Sequence, residues 1–102
     1  MEIRYLRSFV EVAARGHVGR AAEALNIAQP SLSYQIARLE EDFGTPLFAR
    51  GPRGMDLTAA GRALLDEVGP ILRRVDGLSE HVRAAAGGRI GTLKIGLVSE
   101  RC

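Results

Sequence analysis

Three short amphipathic segments fill the first 43 residues, and each is followed by a residue that can end a helix. These stops are Gly16, Asn26 and Gly44, because glycine and asparagine tolerate positive φ better than other residues. The apolar spacing predicts helices over 2–15, over 20–25 with Gly19 as its N-cap, and over 29–43 with Pro30 in its first turn. The third helix is predicted to turn Leu32, Ile36, Leu39 and Phe43 toward the core.

A two-stranded hairpin is predicted after the third helix. Short apolar stretches at 47–50 and 55–57 flank the run Gly51-Pro52-Arg53-Gly54, which is typical of a turn and makes the hairpin tip basic. Three helices followed by such a hairpin predict a mainly α fold of the winged helix-turn-helix type. The helix-turn-helix is placed at about 18–37 and the wing at about 47–57.

A long helix is predicted to begin at Thr58 as its N-cap and to run toward Ala86, before Gly87-Gly88. Pro70 is expected to bend its axis. Apolar residues recur along this helix at alternating intervals of four and three, which is the heptad pattern of paired helices. The predicted dimerisation residues are Leu64, Val68, Ile71, Val75, Leu78 and Val82. The alternative is that this stripe packs against the helix's own domain.

The segment after the long helix has the pattern of a strand. Leu93, Ile95 and Leu97 alternate within residues 92–98, and this strand has no predicted partner in the remaining residues. It is therefore expected to begin a further domain that is truncated here. The predicted organisation is a winged helix-turn-helix domain at 1–58, a linker or dimerisation helix at 59–87 and the start of that further domain at 88–102.

The predicted helix-turn-helix and wing region has no net charge, whereas nucleic-acid-binding domains are usually basic. Residues 1–57 carry seven Arg, no Lys and seven acidic residues, and the whole chain has a net charge of +2. Bulk charge therefore cannot drive DNA binding, which would depend on a few well-placed arginines and on a partner chain. The alternative prediction is a winged-helix interaction module that dimerises without reading DNA.

The cysteine usage and the absence of targeting signals predict a protein of the reducing cytoplasm. No run of about 18 apolar residues could form a transmembrane helix, and no apolar signal-peptide core follows Met1. The single cysteine, Cys102, cannot form an internal disulfide or a multi-thiolate metal site. His17 and His81 lack a second ligand or a neighbouring nucleophile. The chain is therefore predicted to be no enzyme and to contain no catalytic residue, no metal site and no cofactor.

Polar residues cluster at the start of the third predicted helix. Gln29, Ser31, Ser33 and Tyr34 can all form hydrogen bonds with bases or phosphates. The second helix of a helix-turn-helix lies in the major groove of DNA. Three consecutive acidic residues, 40–42, indicate that the other end of this helix points away from DNA. The amino-terminal turns of the third helix are therefore the predicted reading surface.

Several motifs in register resemble the amino-terminal domain of LysR-type transcriptional regulators. They are RAAEALNIAQPSLSYQI at 20–36, GTPLFAR at 44–50 and LTAAG at 57–61, while GTLKIG at 91–96 is similar to the first strand of that family's effector-binding domain. The resemblance implies a bacterial transcription factor that binds double-stranded promoter DNA. It also implies a homodimer formed through the linker helix, usually paired into a tetramer, and a small-molecule inducer bound by the absent part of the effector-binding domain.

The same resemblance implies the DNA contacts. Arg53 at the wing tip would reach the minor groove and Arg50 would lie near the backbone, with Arg20 and Arg38 as weaker candidates. The alternative for Arg50 is an ion pair with Glu41 or Asp56. The residues implied to face the major groove are Gln29, Pro30, Ser31, Ser33 and Tyr34. The alternative for Tyr34 is a ring packed on its own helix.

Three positions depart from the family pattern. Tyr34 stands where arginine is common, which removes a charge-assisted contact and changes the expected half-site. Ala28 stands where serine often caps the third helix, at a cost of roughly 1 kcal/mol of local stability. Gly19 replaces a frequent threonine or serine.

Overall fold

A computed structural model describes residues 1–52 and 54–87. In chain order they form helices α1 (Ile3–Arg15), α2 (Val18–Leu25) and α3 (Gln29–Phe43), strands β1 (Phe48–Gly51) and β2 (Gly54–Leu57), and helix α4 (Ala59–Ala85). This order confirms the predicted mainly α, winged helix-turn-helix fold with a long helix after the wing. The predictions made for Arg53 and for residues 88–102 fall outside the described residues.

The three predicted stops end their helices in left-handed backbone. Gly16, Asn26 and Gly44 have φ angles of 68°, 58° and 71°, and the N–H of each donates to a carbonyl of the preceding turn. Asn26 is the one non-glycine residue with positive φ in the part of the chain that the structure describes. Residues 26–28 alone therefore connect α2 to α3, as in a tight helix-turn-helix.

Several boundaries differ from those predicted, including the start of α1, which lies at Ile3 instead of residue 2. Helix α2 begins at Val18 instead of Arg20, and its N-cap is His17 instead of Gly19. His17 has extended backbone but makes no side-chain capping hydrogen bond, so no capping residue marks this helix start. In the hairpin, Gly51 and Gly54 are a cross-strand pair and do not lie in the turn. Gly54 has a φ of 126°, which residues with a Cβ rarely adopt.

An apolar core joins the three helices to the hairpin. The rings of Phe9 in α1 and Phe48 in β1 are in contact, with centroids 5.2 Å apart. Phe43, predicted to face the core, is instead 40% exposed and is the last residue of α3. The buried apolar residues of α1–β1 are Leu6, Phe9, Val12, Ala21, Ala22, Leu32, Ile36, Leu39, Leu47 and Phe48.

Hydrogen bonds hold the hairpin against the helices. The N–H of Met55 in β2 donates to the carbonyl oxygen of Gly16 over 3.1 Å, which ties the hairpin to the end of α1. The N–H groups of Leu47 and Phe48 donate to Oε2 of Glu40 over 2.8 and 3.3 Å, which ties the start of β1 to α3. The position of the wing is therefore set by two different helices.

Thr58 caps α4, as predicted. Its Oγ1 accepts a hydrogen bond from the N–H of Gly61 over 3.0 Å and donates one to the carbonyl oxygen of Pro46 over 2.8 Å. Its own N–H donates to the carbonyl oxygen of Leu47 over 3.0 Å. The first turn of α4 is therefore joined to the segment that leads into β1.

Packing divides the chain into two compact units after Pro70. Residues 1–70 form the first, and residues 71–87 are the described part of the second. Helix α4 is continuous through Pro70, and its residues up to Pro70 belong to the first unit. The predicted domain limits at 58 and 87 stay predictions. In the described part of the chain, no helix is long and apolar enough to span a membrane.

Candidate nucleic-acid interface

Helix α3 has one buried face and one exposed polar face. Leu32, Ile36 and Leu39 are buried, at a spacing of four and three residues that places them on one side of the helix. The predicted major-groove residues all lie exposed on α3: Gln29, Pro30, Ser31, Ser33 and Tyr34. The structure therefore brings these five side chains together on the solvent side of a helix whose other side is anchored.

A buried polar contact fixes α3 against α1, and sequence reasoning did not identify it. Ser8 in α1 is only 3% exposed, and its hydroxyl donates a hydrogen bond to Oε1 of Gln35 in α3. Buried polar groups are costly without partners, so this pair favours one rotational setting of α3. The sequence around Ser8 does not indicate a hydrogen-bond partner 27 residues away.

The first turn of α3 lacks a side-chain cap. Ala28 has the extended backbone of an N-cap, with φ −70° and ψ 144°, but no side-chain hydrogen bond. Pro30 has no N–H, so the donor within reach of a residue 28 side chain is the N–H of Ser31, which already donates to the carbonyl oxygen of Ala28 over 3.0 Å. The predicted loss of a cap at this position therefore agrees with the geometry.

Ala28→Ser is expected to raise the free energy of unfolding by about 1 kcal/mol, because the hydroxyl would give the N–H of Ser31 a second acceptor beside the carbonyl oxygen of residue 28. Urea denaturation followed by circular dichroism measures the change. Ala24→Ser, at an exposed site inside α2, is the matched control and is expected to lower stability slightly. Equal changes in the two variants would contradict the capping explanation.

The wing presents one described arginine to solvent. Arg50 in β1 is exposed and pairs in register with Met55 of β2. Glu41, one of two predicted alternative partners of Arg50, instead forms an ion pair with Arg38 at 3.8 Å. Within residues 1–52 and 54–87, Arg50 forms no ion pair with either Glu41 or Asp56.

Two further arginines were weaker candidates for DNA contact. Arg20 is exposed in α2, and Arg38 is exposed in α3 despite its ion pair. A surface ion pair of this length contributes little, so Arg38 stays available to a stronger anionic partner. The described arginine candidates therefore all lie at the surface.

The predicted dimerisation stripe divides into a buried and an exposed part. Val68 is 1% exposed and belongs to the core of the first unit. Leu64 and Val75 are half-buried. Ile71, Leu78 and Val82 are 49%, 56% and 60% exposed, which is unusual for large apolar side chains at regular helical spacing. These residues form an apolar face on the second half of α4.

These elements define a winged helix-turn-helix regulatory protein. They are a short helix, a three-residue turn, a second helix with an exposed polar face and a two-stranded wing. The family model described as "Bacterial regulatory helix-turn-helix protein, lysR family" matches residues 3–62. The chain belongs to the lysR family, whose members are DNA-binding transcription regulators and not enzymes. The resemblance seen in the sequence is confirmed.

Curated relatives extend the match beyond the wing. The chain is 52% identical over 99 residues to the HTH-type transcriptional regulator BudR of Klebsiella aerogenes, covering 97% of this chain and 69% of BudR. It is 47% identical over 95 residues to the regulator TfdT of Cupriavidus pinatubonensis, covering 93% of this chain and 42% of TfdT. The chain therefore spans between about two fifths and two thirds of these relatives.

Solved structures show the same fold bound to DNA. The CbnR DNA-binding domain in complex with DNA has a TM-score of 0.81 and 40% identity, covering 85% of this chain and all of that chain. The BenM DNA-binding domain in complex with catB site 1 DNA has a TM-score of 0.81 and 38% identity, covering 87% of this chain and all of that chain.

Proposed function

We propose that the chain binds double-stranded promoter DNA in a sequence-specific manner, with α3 in the major groove and the wing at the minor groove. The observation that carries the proposal is the exposed polar face at the start of α3, on a helix anchored by Leu32, Ile36 and Leu39. Gln29 can pair bidentately with adenine, and the hydroxyls of Ser31 and Ser33 can bond bases or phosphates.

The arginines supply the anchoring contacts in this proposal. Arg50 contacts the DNA backbone beside the wing, and Arg53 reaches into the minor groove, with Arg20 and Arg38 as additional phosphate contacts. Support comes from the exposure of Arg20, Arg38 and Arg50 and from the balanced charge of residues 1–57, which leaves individual arginines to provide the attraction.

The active assembly is proposed to be a homodimer that pairs through α4, with two dimers joining into a tetramer in the full-length protein. The exposed apolar residues Ile71, Leu78 and Val82 support this pairing, since their burial against a second helix would be favourable. A small-molecule inducer is proposed to bind a further domain of the full-length cytoplasmic protein.

Fluorescence anisotropy of the chain tests the proposal, using an interrupted inverted repeat of the LysR type and a scrambled duplex across a salt series. Ser33→Ala is expected to reduce the preference for the repeat on the order of tenfold, because a base contact is lost. Arg50→Ala is expected to weaken binding to both duplexes and to make the salt dependence shallower by about 0.9 in the log–log slope.

Arg15→Ala is the matched charge control, because Arg15 is already paired with Glu11 at 2.7 Å on α1. It is expected to leave the affinity, the salt slope and the preference for the repeat unchanged. DNA recognition would be refuted by an affinity that is the same for both duplexes at every salt concentration, or by no binding at low salt. That outcome would favour the alternative, a winged-helix interaction module that dimerises through α4.

A further inference from the structure

Tyr34 on the exposed face of α3 is in contact with a second tyrosine on α1. The rings of Tyr5 and Tyr34 have centroids 6.5 Å apart and planes at 85°, which is an edge-to-face arrangement. Tyr34 nevertheless remains 56% exposed. One side of its ring is therefore held by the protein while a large part stays free to contact a ligand.

Tyr5 is itself held in place from α1. It is half-buried, and the guanidinium carbon of Arg4 lies 5.4 Å from its ring centroid, within the range of a cation–π contact. One turn further along α1, the hydroxyl of Ser8 donates a hydrogen bond to Gln35, the residue after Tyr34. Two successive turns of α1 therefore contact two adjacent residues of α3.

An edge-to-face partner restricts the rotamers of Tyr34. Aromatic side chains occupy a few staggered χ1 positions, and a pair of this geometry favours one of them by about twofold to tenfold. Without Tyr5, an exposed ring on a helix surface would distribute among its allowed positions. The contact thus gives the Tyr34 ring a defined direction before any ligand arrives.

The ring of Tyr34 suits an apolar group in the major groove. Arginine recognises guanine through two donors, whereas a tyrosine has one hydroxyl and a large apolar ring. The apolar group that DNA presents in the major groove is the methyl of thymine. Pro30 lies one helical turn before Tyr34 and is also exposed, which extends the apolar strip along this face.

Building on the proposed DNA-binding function, we propose that Tyr34 recognises a thymine methyl in the half-site and that Tyr5 is the positioning residue that directs its ring. Tyr5 acts through Tyr34 and makes no base contact of its own. Replacing the ring of Tyr5 therefore changes base preference while leaving the phosphate contacts, and hence the salt dependence, intact.

The test uses the duplex that the chain selects from a pool with randomised half-sites. Each thymine of that duplex is replaced in turn by uracil, which removes one methyl group and nothing else. At one half-site position, wild type is expected to lose affinity by about fourfold, the effect of one buried methyl. Tyr34→Ala is expected to bind the thymine and uracil duplexes equally at that position.

Two variants of Tyr5 separate positioning from structure. Tyr5→Phe keeps the ring pair and is expected to retain the wild-type response to uracil. Tyr5→Leu keeps apolar bulk on α1 without a ring and is expected to reduce the response to less than about twofold. Ser8→Ala is the control, because it disturbs the neighbouring α1–α3 contact without removing either ring. Thermal unfolding shows that each variant is folded.

Each alternative outcome is decisive. A Tyr5→Leu variant with the full wild-type response to uracil would overturn the positioning role. Selection of a clear half-site in which no uracil substitution distinguishes wild type from Tyr34→Ala would overturn methyl recognition and leave the proposed DNA-binding function standing. Selection of no preferred sequence would overturn both.

Discussion

Replacing Gly61 with alanine is expected to lower the free energy of unfolding by about 3 kcal/mol. Gly61 is buried, and a Cβ built there would lie 2.1 Å from the carbonyl oxygen of Leu47 and 2.9 Å from Cδ2 of Leu57. The carbonyl is backbone and is held by the N–H of Thr58, so it cannot rotate aside. The start of α4 would have to move away from the wing. Urea denaturation followed by circular dichroism measures the loss.

Gly77→Ala is the matched control in the same helix. A Cβ at Gly77 would have no neighbour within 4 Å, so only helix propensity changes, and a gain of about 0.5–1 kcal/mol is expected. The two substitutions are chemically identical, but their effects on the free energy of unfolding should have opposite signs. An unfolding midpoint of Gly61→Ala equal to that of wild type would show that α4 can shift without cost.

Glu40→Ala is expected to destabilise the fold by about 2 kcal/mol and to loosen the wing. Its carboxylate accepts from the N–H groups of Leu47 and Phe48, both of which belong to buried residues. Hydrogen bonds to a charged acceptor contribute more than neutral ones, and the two donors would lose their partner. Amide hydrogen exchange is expected to accelerate at residues 47 and 48 before the helices respond.

Glu41→Ala removes the same charge from the next residue of α3. Its carboxylate is exposed and forms a 3.8 Å ion pair with Arg38, so a change within about 0.5 kcal/mol is expected. Similar losses of stability in the two variants would mean that general charge effects, and not the bonds to β1, explain the result for Glu40.

Features encoded by neighbouring residues could be predicted from the sequence. Gly16, Asn26 and Gly44 end their helices because each occupies left-handed backbone, a preference that belongs to the residue itself. The apolar spacing of α3 likewise located Leu32 and Ile36 in the core. The order of elements follows from such local signals, as does the exposure of the polar face on α3.

Features that depend on distant residues could not be predicted. Helix α2 begins at Val18 without a capping side chain, so no local signal marks its start. The spacing of apolar residues in α3 predicted a core position for Phe43. That spacing does not indicate which other elements contact the end of α3, where Phe43 is partly exposed. The hydrogen bonds of Glu40 and the ring contact of Tyr5 with Tyr34 form only when separate elements pack together. Residue spacing therefore does not predict them.

The bracing of the hairpin has a consequence for conformational entropy. Two strands of four residues would be marginal as a free ribbon in water, and ordering them costs about 1–2 kcal/mol per residue. Here Met55 is hydrogen-bonded to Gly16, and Glu40 is hydrogen-bonded to the start of β1. The strands therefore lose this conformational freedom when the chain folds. In the proposed complex the strands would therefore lose little further entropy, and contacts made from them would contribute nearly their full strength to affinity.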